Sequence, residues 1–583
     1  MKIKDFISSN EILLIAIGII ILFPLFSSAQ VADPQATQLS RLIQDQVNNP
    51  SSANYQVLLN TKKLNSFYSD DKLSYQPYWI DASSMRPNFK AQALRKILKA
   101  APDQGLWDVY WNSNLESLFN SQNLAVADIA ELEVKLSEAY LRYAHHVYVG
   151  RFDPRKFDDN IEMEPRQMPA LMLRLKMVAR NNQYDLIEKT NELLPKIPAY
   201  GNLKNALAKL RSIPDKTWPV IPAPGTDLYL GVRHPQVPAI RKRLAQLGYN
   251  VPVNGSDQFD ADVDKSLKDF QRNSSLKIDG RIGGKFSKVL KYLNVPYEQR
   301  IKEIELNMER YRWLPRKLDT RYILVNVAMT KFTLRDDDLF IRDPHDSSRG
   351  TWSPEISRLQ FRTINGRDVR KTPLMIRKIS RVEFNPTWTV PASIAIKDKL
   401  PILRQDPTYI DKHNMYLMVG GKVTPSASVN WATVTEDDFA NQRYVIVQKP
   451  GYDNALGVVK FPLDGNSFNI YLHDTNERNL FEEENRHGSS GCVRLQRPLD
   501  LALYLLKDQN YTMDTIKTIV PSATEATSRE TKRVSLKKPI TVFLHYLTVE
   551  AKSNGELGFS DDDYEQDPKL LEALYNPTNN SEF

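Results

Sequence analysis

The period of the hydrophobic pattern changes along this chain, and the change constrains its architecture more than any other feature. Between about residues 53 and 225 apolar side chains recur at helical spacing, as in Val134, Leu136, Tyr140 and Tyr143 and in Leu171, Leu173, Leu175 and Val178. Such spacing lines one face of a helix, so a helical domain is expected. The proline-rich stretch Trp218 to Pro224 cannot extend a helix and marks its end. Residues 226–293 carry three shorter helical patterns: Val237, Ile240, Leu244 and Leu247, then Val263, Leu267 and Phe270, then Phe286, Val289, Leu290 and Leu293. Turns at Asn254-Gly255 and Asp279-Gly280 separate them. A helical connector, Tyr297 to Arg312, occupies most of 294–318.

From Tyr322 the period falls to two, in Ile323 to Val327, Lys331 to Leu334, Arg443 to Gln448 and Ser467 to His473. Residues 319–523 are therefore expected to form a mainly β domain. Within it, residues from about 396 to 445 are polar and turn-rich and read as an insertion capping one side of the sheet. Residues 524–583 add a strand, Ile540 to Leu547, and a short helix near Leu570 to Tyr575. The predicted fold class is multidomain α and β, and 583 residues exceed what one core organises.

At the other end, Lys2 and Lys4 precede an apolar run from Ile12 to Phe26 and the small residues Ser27, Ser28 and Ala29. Residues 1–29 read as a secretory signal peptide cut after Ala29, with retention as an inner-membrane anchor the alternative. Residues 30–52, rich in Gln and Ser, read as a linker. The rest of the chain is expected in solution beyond the membrane. Its 78 basic and 70 acidic residues are interspersed, leaving +8. That is no nucleic-acid footprint, and it suits a weakly anionic polymer equally well.

Cys492 is the only cysteine, which excludes an intramolecular disulfide and a cysteine-based zinc cluster. No His and acid spacing suggests another metal site. The alternation of Ser467 to His473 puts Tyr471 and His473 on one face, away from the core, and Asp474 on the opposite one. A backbone carbonyl is thus the expected partner for the second imidazole nitrogen. Nineteen residues after His473 comes Ser489-Ser490-Gly491-Cys492-Val493-Arg494, a turn of small residues that lets a substrate approach the backbone. Amides around Ser490 and Gly491 are candidate oxyanion donors, and Arg494 shares the direction of Cys492 and can bind a carboxylate. A thiol, a base and a cation converge here. His487 is the rival base, read more simply as a solvated loop residue, as is Arg478. His145, His146 and His545 read as packing residues. Tyr471 and Trp388 are candidates to line a substrate pocket.

Ile470-Tyr471-Leu472-His473-Asp474-Thr475, followed by Ser489-Ser490-Gly491-Cys492-Val493-Arg494, resembles the active-site signature of the L,D-transpeptidases. Asn385 to Pro391, Pro450-Gly451, Asn454 to Gly457 and Trp313-Leu314-Pro315 extend the likeness to the large multidomain Gram-negative branch. The segment Ile240 to Leu290 resembles a three-helix peptidoglycan-binding module. One departure is Ser490, where many members carry His. The resemblance implies a helical scaffold, that module and a capped β catalytic domain. It also implies a periplasmic enzyme without cofactor, acting on peptidoglycan tetrapeptide stems as donor and acceptor, and inhibited by carbapenems. Cys492 would be the nucleophile, His473 the base, and the product a 3→3 cross-link. Transfer to water or to a lipoprotein lysine, and a non-catalytic wall-binding scaffold, are the alternatives.

Overall fold

The computed structural model describes residues 34–48, 61–69, 75–106, 110–167, 169–283, 287–336, 358–522 and 529–576. The stretch read as a signal peptide lies outside them. The expected linker is different from its reading: Pro34–Asn48 is an α-helix, α1. Leu39, Ile43 and Val47, four apart, are buried against α2 (Val126–Tyr148). Proline at the first helical position and three buried side chains on one stripe outweigh the polar composition.

A first core joins these helices and runs from Leu39 to Leu193. Glu133, buried in α2, accepts hydrogen bonds from the Tyr78, Trp79 and Ile80 amides and from the Tyr68 hydroxyl. Burial nevertheless pushes its carboxyl up to about 7. His146 is a packing residue, its Nδ1 2.5 Å from the Tyr110 hydroxyl.

Pro198–Arg211 (α3) belongs instead to the main core. It packs on α7 (Tyr297–Trp313), the connector. Between them lie the three helices of the small module: α4 (Val237–Gln246), α5 (Ala261–Asn273) and α6 (Lys288–Leu293).

The β domain is built from β1 (Arg321–Asn326), β2 (Lys331–Asp336), β3 (Arg358–Gly366) and β4 (Met375–Phe384). A small sheet follows, of β5 (Trp388–Thr389), β6 (Met415–Val419), β7 (Lys422–Thr424) and β8 (Tyr444–Gln448). Then come β9 (Val459–Pro462), β10 (Tyr471–His473), β11 (His487–Ser489), β12 (Val493–Leu495) and β13 (Lys532–His545). The large sheet has the order β11-β3-β12-β10-β9-β4-β13-β1-β2, and β2 also pairs with β3. Eight strands thereby close on themselves, removing exposed edges. The cap has its own core, from Val390 to Ile446. Its sheet starts at Trp388 and ends at Gln448, slightly outside the insertion read from polarity, because its first strand pairs with its last.

The C-terminal extension is more central than its sequence suggests. β13 begins at Lys532 and lies between β4 and β1. After it, β14 (Val549–Ala551) and β15 (Leu557–Phe559) form a hairpin. The Leu557 amide donates to the Leu247 carbonyl, and the Tyr249 hydroxyl to the Leu557 carbonyl. Asn202 of α3 donates to the Ala551 carbonyl. One hairpin thus joins the module, α3 and the sheet. His545 is buried among these elements with neither ring nitrogen bonded among the described residues.

Candidate active site

Strand register brings the chemical side chains together. Lys460 of β9 lies opposite His473 of β10, and His473 lies beside Arg494 of β12. Because β10 and β12 are parallel, with Leu472 beside Val493, Tyr471 falls level with Cys492. Parity then puts Lys460, Tyr471, His473, Cys492 and Arg494 on one face. The opposite face carries Phe461, Leu472, Val493 and Leu495, all buried in the core.

Only the last three residues of the expected strand Ser467 to His473 are extended, because Asn469 adopts φ +54°. This shortening leaves the parity of Tyr471 and His473 intact. His473 is covered, at 4% exposure. Burial first, then the charges of Arg494 and Lys460, hold its imidazole down to about 3. The Asp474 backbone is near enough to favour the protonated ring, but Nδ1 makes no hydrogen bond among the described residues. The expected carbonyl partner is therefore present without a formed bond. Asp474 turns to the other side, as parity requires, accepting from the Val458 amide at 2.9 Å and from Arg478 at 2.6 Å. Arg478 is thus no simply solvated loop charge. Gly457 (φ +58°) makes room for this carboxylate, which would lie 2.3 Å from a Cβ there.

Cys492 keeps part of its surface open, yet enough protein surrounds the sulfur for burial to push its thiol up. The Tyr471 backbone and hydroxyl, Lys460 and Arg494 oppose that rise. Burial also raises the Tyr471 phenol well above its usual value; the Cys492 sulfur adds to this and the Trp388 side chain counters it. Trp388, the first residue of the cap sheet, therefore reaches the same cluster.

The Cys492 turn is braced from several directions. Gly491 has φ +114°, a conformation that glycine adopts without strain. Ser489 Oγ donates to the Cys492 carbonyl at 2.6 Å and accepts from the Gly491 amide at 3.1 Å. That amide is thus occupied and is not an unengaged oxyanion donor in this structure. Thr372 Oγ1 donates to the Gly491 carbonyl at 2.8 Å. Arg370 bridges Ser490 Oγ, at 3.0 Å, and Asp398 of the cap, at 2.9 Å. Arg494 pairs with Glu477.

His487 is not solvated but held on both ring nitrogens. Its Nε2 lies 3.0 Å from the Val327 carbonyl and its Nδ1 3.0 Å from Asp563. Among the described residues no cluster of three His, Cys, Asp or Glu side chains could hold a metal, and no helix is long and apolar enough to cross a membrane.

This face lies within a stretch that matches a known family. Residues 320–520 match the model of an L,D-transpeptidase catalytic domain. This chain carries that domain. Residues 62–207 match a scaffold domain, and residues 233–290 a "Putative peptidoglycan binding domain". The "Putative L,D-transpeptidase" of Haemophilus influenzae is 36% identical over 219 residues, which are 37% of this chain and 42% of that protein's length. A crystal structure of a fused Zn-dependent amidase/peptidase/peptidoglycan-binding protein from Clostridium acetobutylicum is 12% identical, covering 55% of this chain and all of that one. Its TM-score of 0.14 carries no argument about fold.

Within the transpeptidase domain, sequence reasoning missed Lys460, Glu477, Arg370 and Thr372. Lys460 stands at an alternating position of β9, but nothing in its own segment names its strand partner. Tyr564, which supports Thr372, lies in the C-terminal extension, far from the Cys492 turn in sequence.

Proposed function

We propose that this chain is an L,D-transpeptidase of the cell envelope that forms 3→3 cross-links through a thioester on Cys492. What carries the reading is the shared face of Cys492, Tyr471, His473 and Arg494 inside a domain matched to that family. In the first step Cys492 Sγ bonds to the carbonyl carbon of the third-position diaminopimelate of a donor stem. The amide bond to the terminal D-alanine breaks, and His473 moves the thiol proton to the departing amine. In the second step the side-chain amine of an acceptor diaminopimelate attacks the thioester, forming the cross-link and freeing the sulfur.

The other side chains have stated parts. Arg494 binds a substrate carboxylate, displacing Glu477. Tyr471 and Trp388 line the donor pocket, and amides of the Ser490-Gly491 turn receive the oxyanion, which requires Ser489 to release the Gly491 amide. The resting pair is a neutral thiol and a neutral imidazole, since burial acts against both charges. Proton transfer is therefore coupled to attack. The small module would hold the enzyme on peptidoglycan, in the periplasm or at the wall, with residues 1–29 as export signal or membrane tether.

Incubation with purified tetrapeptide muropeptides and mass analysis tests the reaction. A dimer lacking one D-alanine supports it; a hydrolysed tripeptide monomer, or transfer only to a lipoprotein lysine, favours the alternative acceptors. A carbapenem adduct on Cys492 is expected. Its absence from the folded protein would favour a non-catalytic wall-binding scaffold.

A further inference from the structure

One cation of the thiol face has no role in the mechanism above. Lys460 lies directly opposite His473 on one side and Glu383 on the other. Its Nζ sits over the Tyr471 ring, 4.1 Å from the centroid. Tyr471 is itself level with Cys492. Among the described residues no carboxylate lies within ion-pair distance of Lys460. Glu383, its nearest acidic neighbour by register, is bound by Arg381 at 2.9 Å and approached by Arg533 at 3.5 Å. The second cation of the face, Arg494, is paired with Glu477. Lys460 therefore brings a charge that Glu383 offsets only from a distance, without a direct ion pair among the described residues.

We propose that Lys460 is a positioning residue for Cys492, its ammonium seated over the Tyr471 ring and supplying the field that lowers the cost of forming the thiolate. The inference rests on Cys492 being the nucleophile. A buried, neutral His473 cannot supply that field at rest, because the imidazole becomes a cation only after taking the proton. A fixed ammonium acts throughout, and its effect strengthens when a donor stem expels water from the face. The groups around the thiol fit this division: Tyr471 and His473 from β10, Arg494 from its own strand with Glu477 attached, and Arg370 beside Ser490. Behind Lys460 stand Glu383, Arg381 and Arg533. Burial works against the ammonium, while the Glu383 carboxylate and after it the Cys492 sulfur favour it, as expected if lysine and thiol feel one another.

The test is the pH dependence of Cys492 alkylation by iodoacetamide, a neutral reagent, in the full chain, where no other cysteine competes. In Lys460→Met the midpoint should rise by about one pH unit, slowing alkylation at neutral pH roughly tenfold. Lys460→Arg should restore most of the wild-type profile. Lys460→Gln, which keeps a polar tip, gives the same reading if the methionine variant does not fold. A folded Met or Gln variant whose profile superimposes on wild type overturns the role of Lys460, and so does an Arg variant as impaired as the Met variant. If alkylated wild-type protein still cross-links muropeptides, the nucleophile reading itself falls, and this role with it.

Discussion

Tyr564, in the C-terminal extension, accepts a hydrogen bond from the Thr372 amide at 3.0 Å while Thr372 holds the Gly491 carbonyl. The same hydroxyl donates to the Gly366 carbonyl at 2.6 Å. A two-residue relay thus links the tail to the turn that presents Cys492. Tyr564→Phe strands two buried backbone groups, so a stability loss of about 1–3 kcal/mol is expected. Carbapenem acylation should slow roughly tenfold as the turn loosens. Urea unfolding and acylation rates, measured side by side, check this; an unchanged acylation rate would refute the relay.

The two candidate bases should separate cleanly. His473→Ala is expected to abolish thioester formation, whereas His487→Ala, which removes contacts to Val327 and Asp563, should leave much of it and lower stability instead. Mass detection of the acyl-enzyme decides between them. The opposite result would move the base to His487.

Glu477 occupies the guanidinium that the proposed mechanism assigns to a substrate carboxylate. The pair is partly exposed, 18% for Arg494 and 52% for Glu477, so it is worth no more than about 1 kcal/mol and is readily displaced. Glu477→Gln should lower the donor KM by about threefold, and Arg494→Ala should raise it by tenfold or more. Steady-state kinetics with tetrapeptide donors measures both; an unchanged KM in each removes Arg494 from substrate binding.

Buried histidines contribute to the loss of stability in acid. His145, His473 and His545 are held down to about 3, and His146 well below its usual value, in each case chiefly by burial. A depressed group stabilises the fold above its unfolded pKa of about 6.5, and that stability is lost as pH falls toward the folded value. Each should contribute a slope of about 1.4 kcal/mol per pH unit across the interval. Glu133, pushed up to about 7 by burial, runs the other way between about 4.3 and 7, and burial likewise raises the carboxyls of Glu138, Glu303, Glu305, Asp474 and Asp562, so the histidine contribution is read from a single-site variant. His545→Phe, which leaves no bonded partner stranded, should flatten urea-derived stability between pH 6 and 4 by about one such slope. An unaltered slope would contradict this assignment.

The joint between module and tail has a narrow tolerance. Gly248 has φ +98°, and a Cβ there would lie 2.1 Å from the Gly555 carbonyl oxygen. Gly248→Ala should cost about 2 kcal/mol or more, or undock the hairpin from the module. Thermal unfolding and small-angle scattering would register either event; a variant identical to wild type in both would show that the contact is dispensable.

The sequence by itself determined what local periodicity and side-chain identity can encode. Period two put Tyr471 and His473 together and sent Asp474 elsewhere. Small residues around one cysteine marked the turn, and helical spacing delimited the three helices of the module. It failed where composition competed with pattern, as in α1, whose Gln and Ser masked the stripe of Leu39, Ile43 and Val47. Tertiary structure decided everything that depends on which strand lies beside which. Register spans tens of residues, so only the folded sheet could bring Lys460 opposite His473, occupy Arg494 with Glu477, and carry Tyr564 from the tail to the base of the Cys492 turn. Burial was equally invisible in the chain: it works against the charged forms of both the His473 imidazole and the Cys492 thiol, because surrounding protein, not their identity, sets the cost of charge.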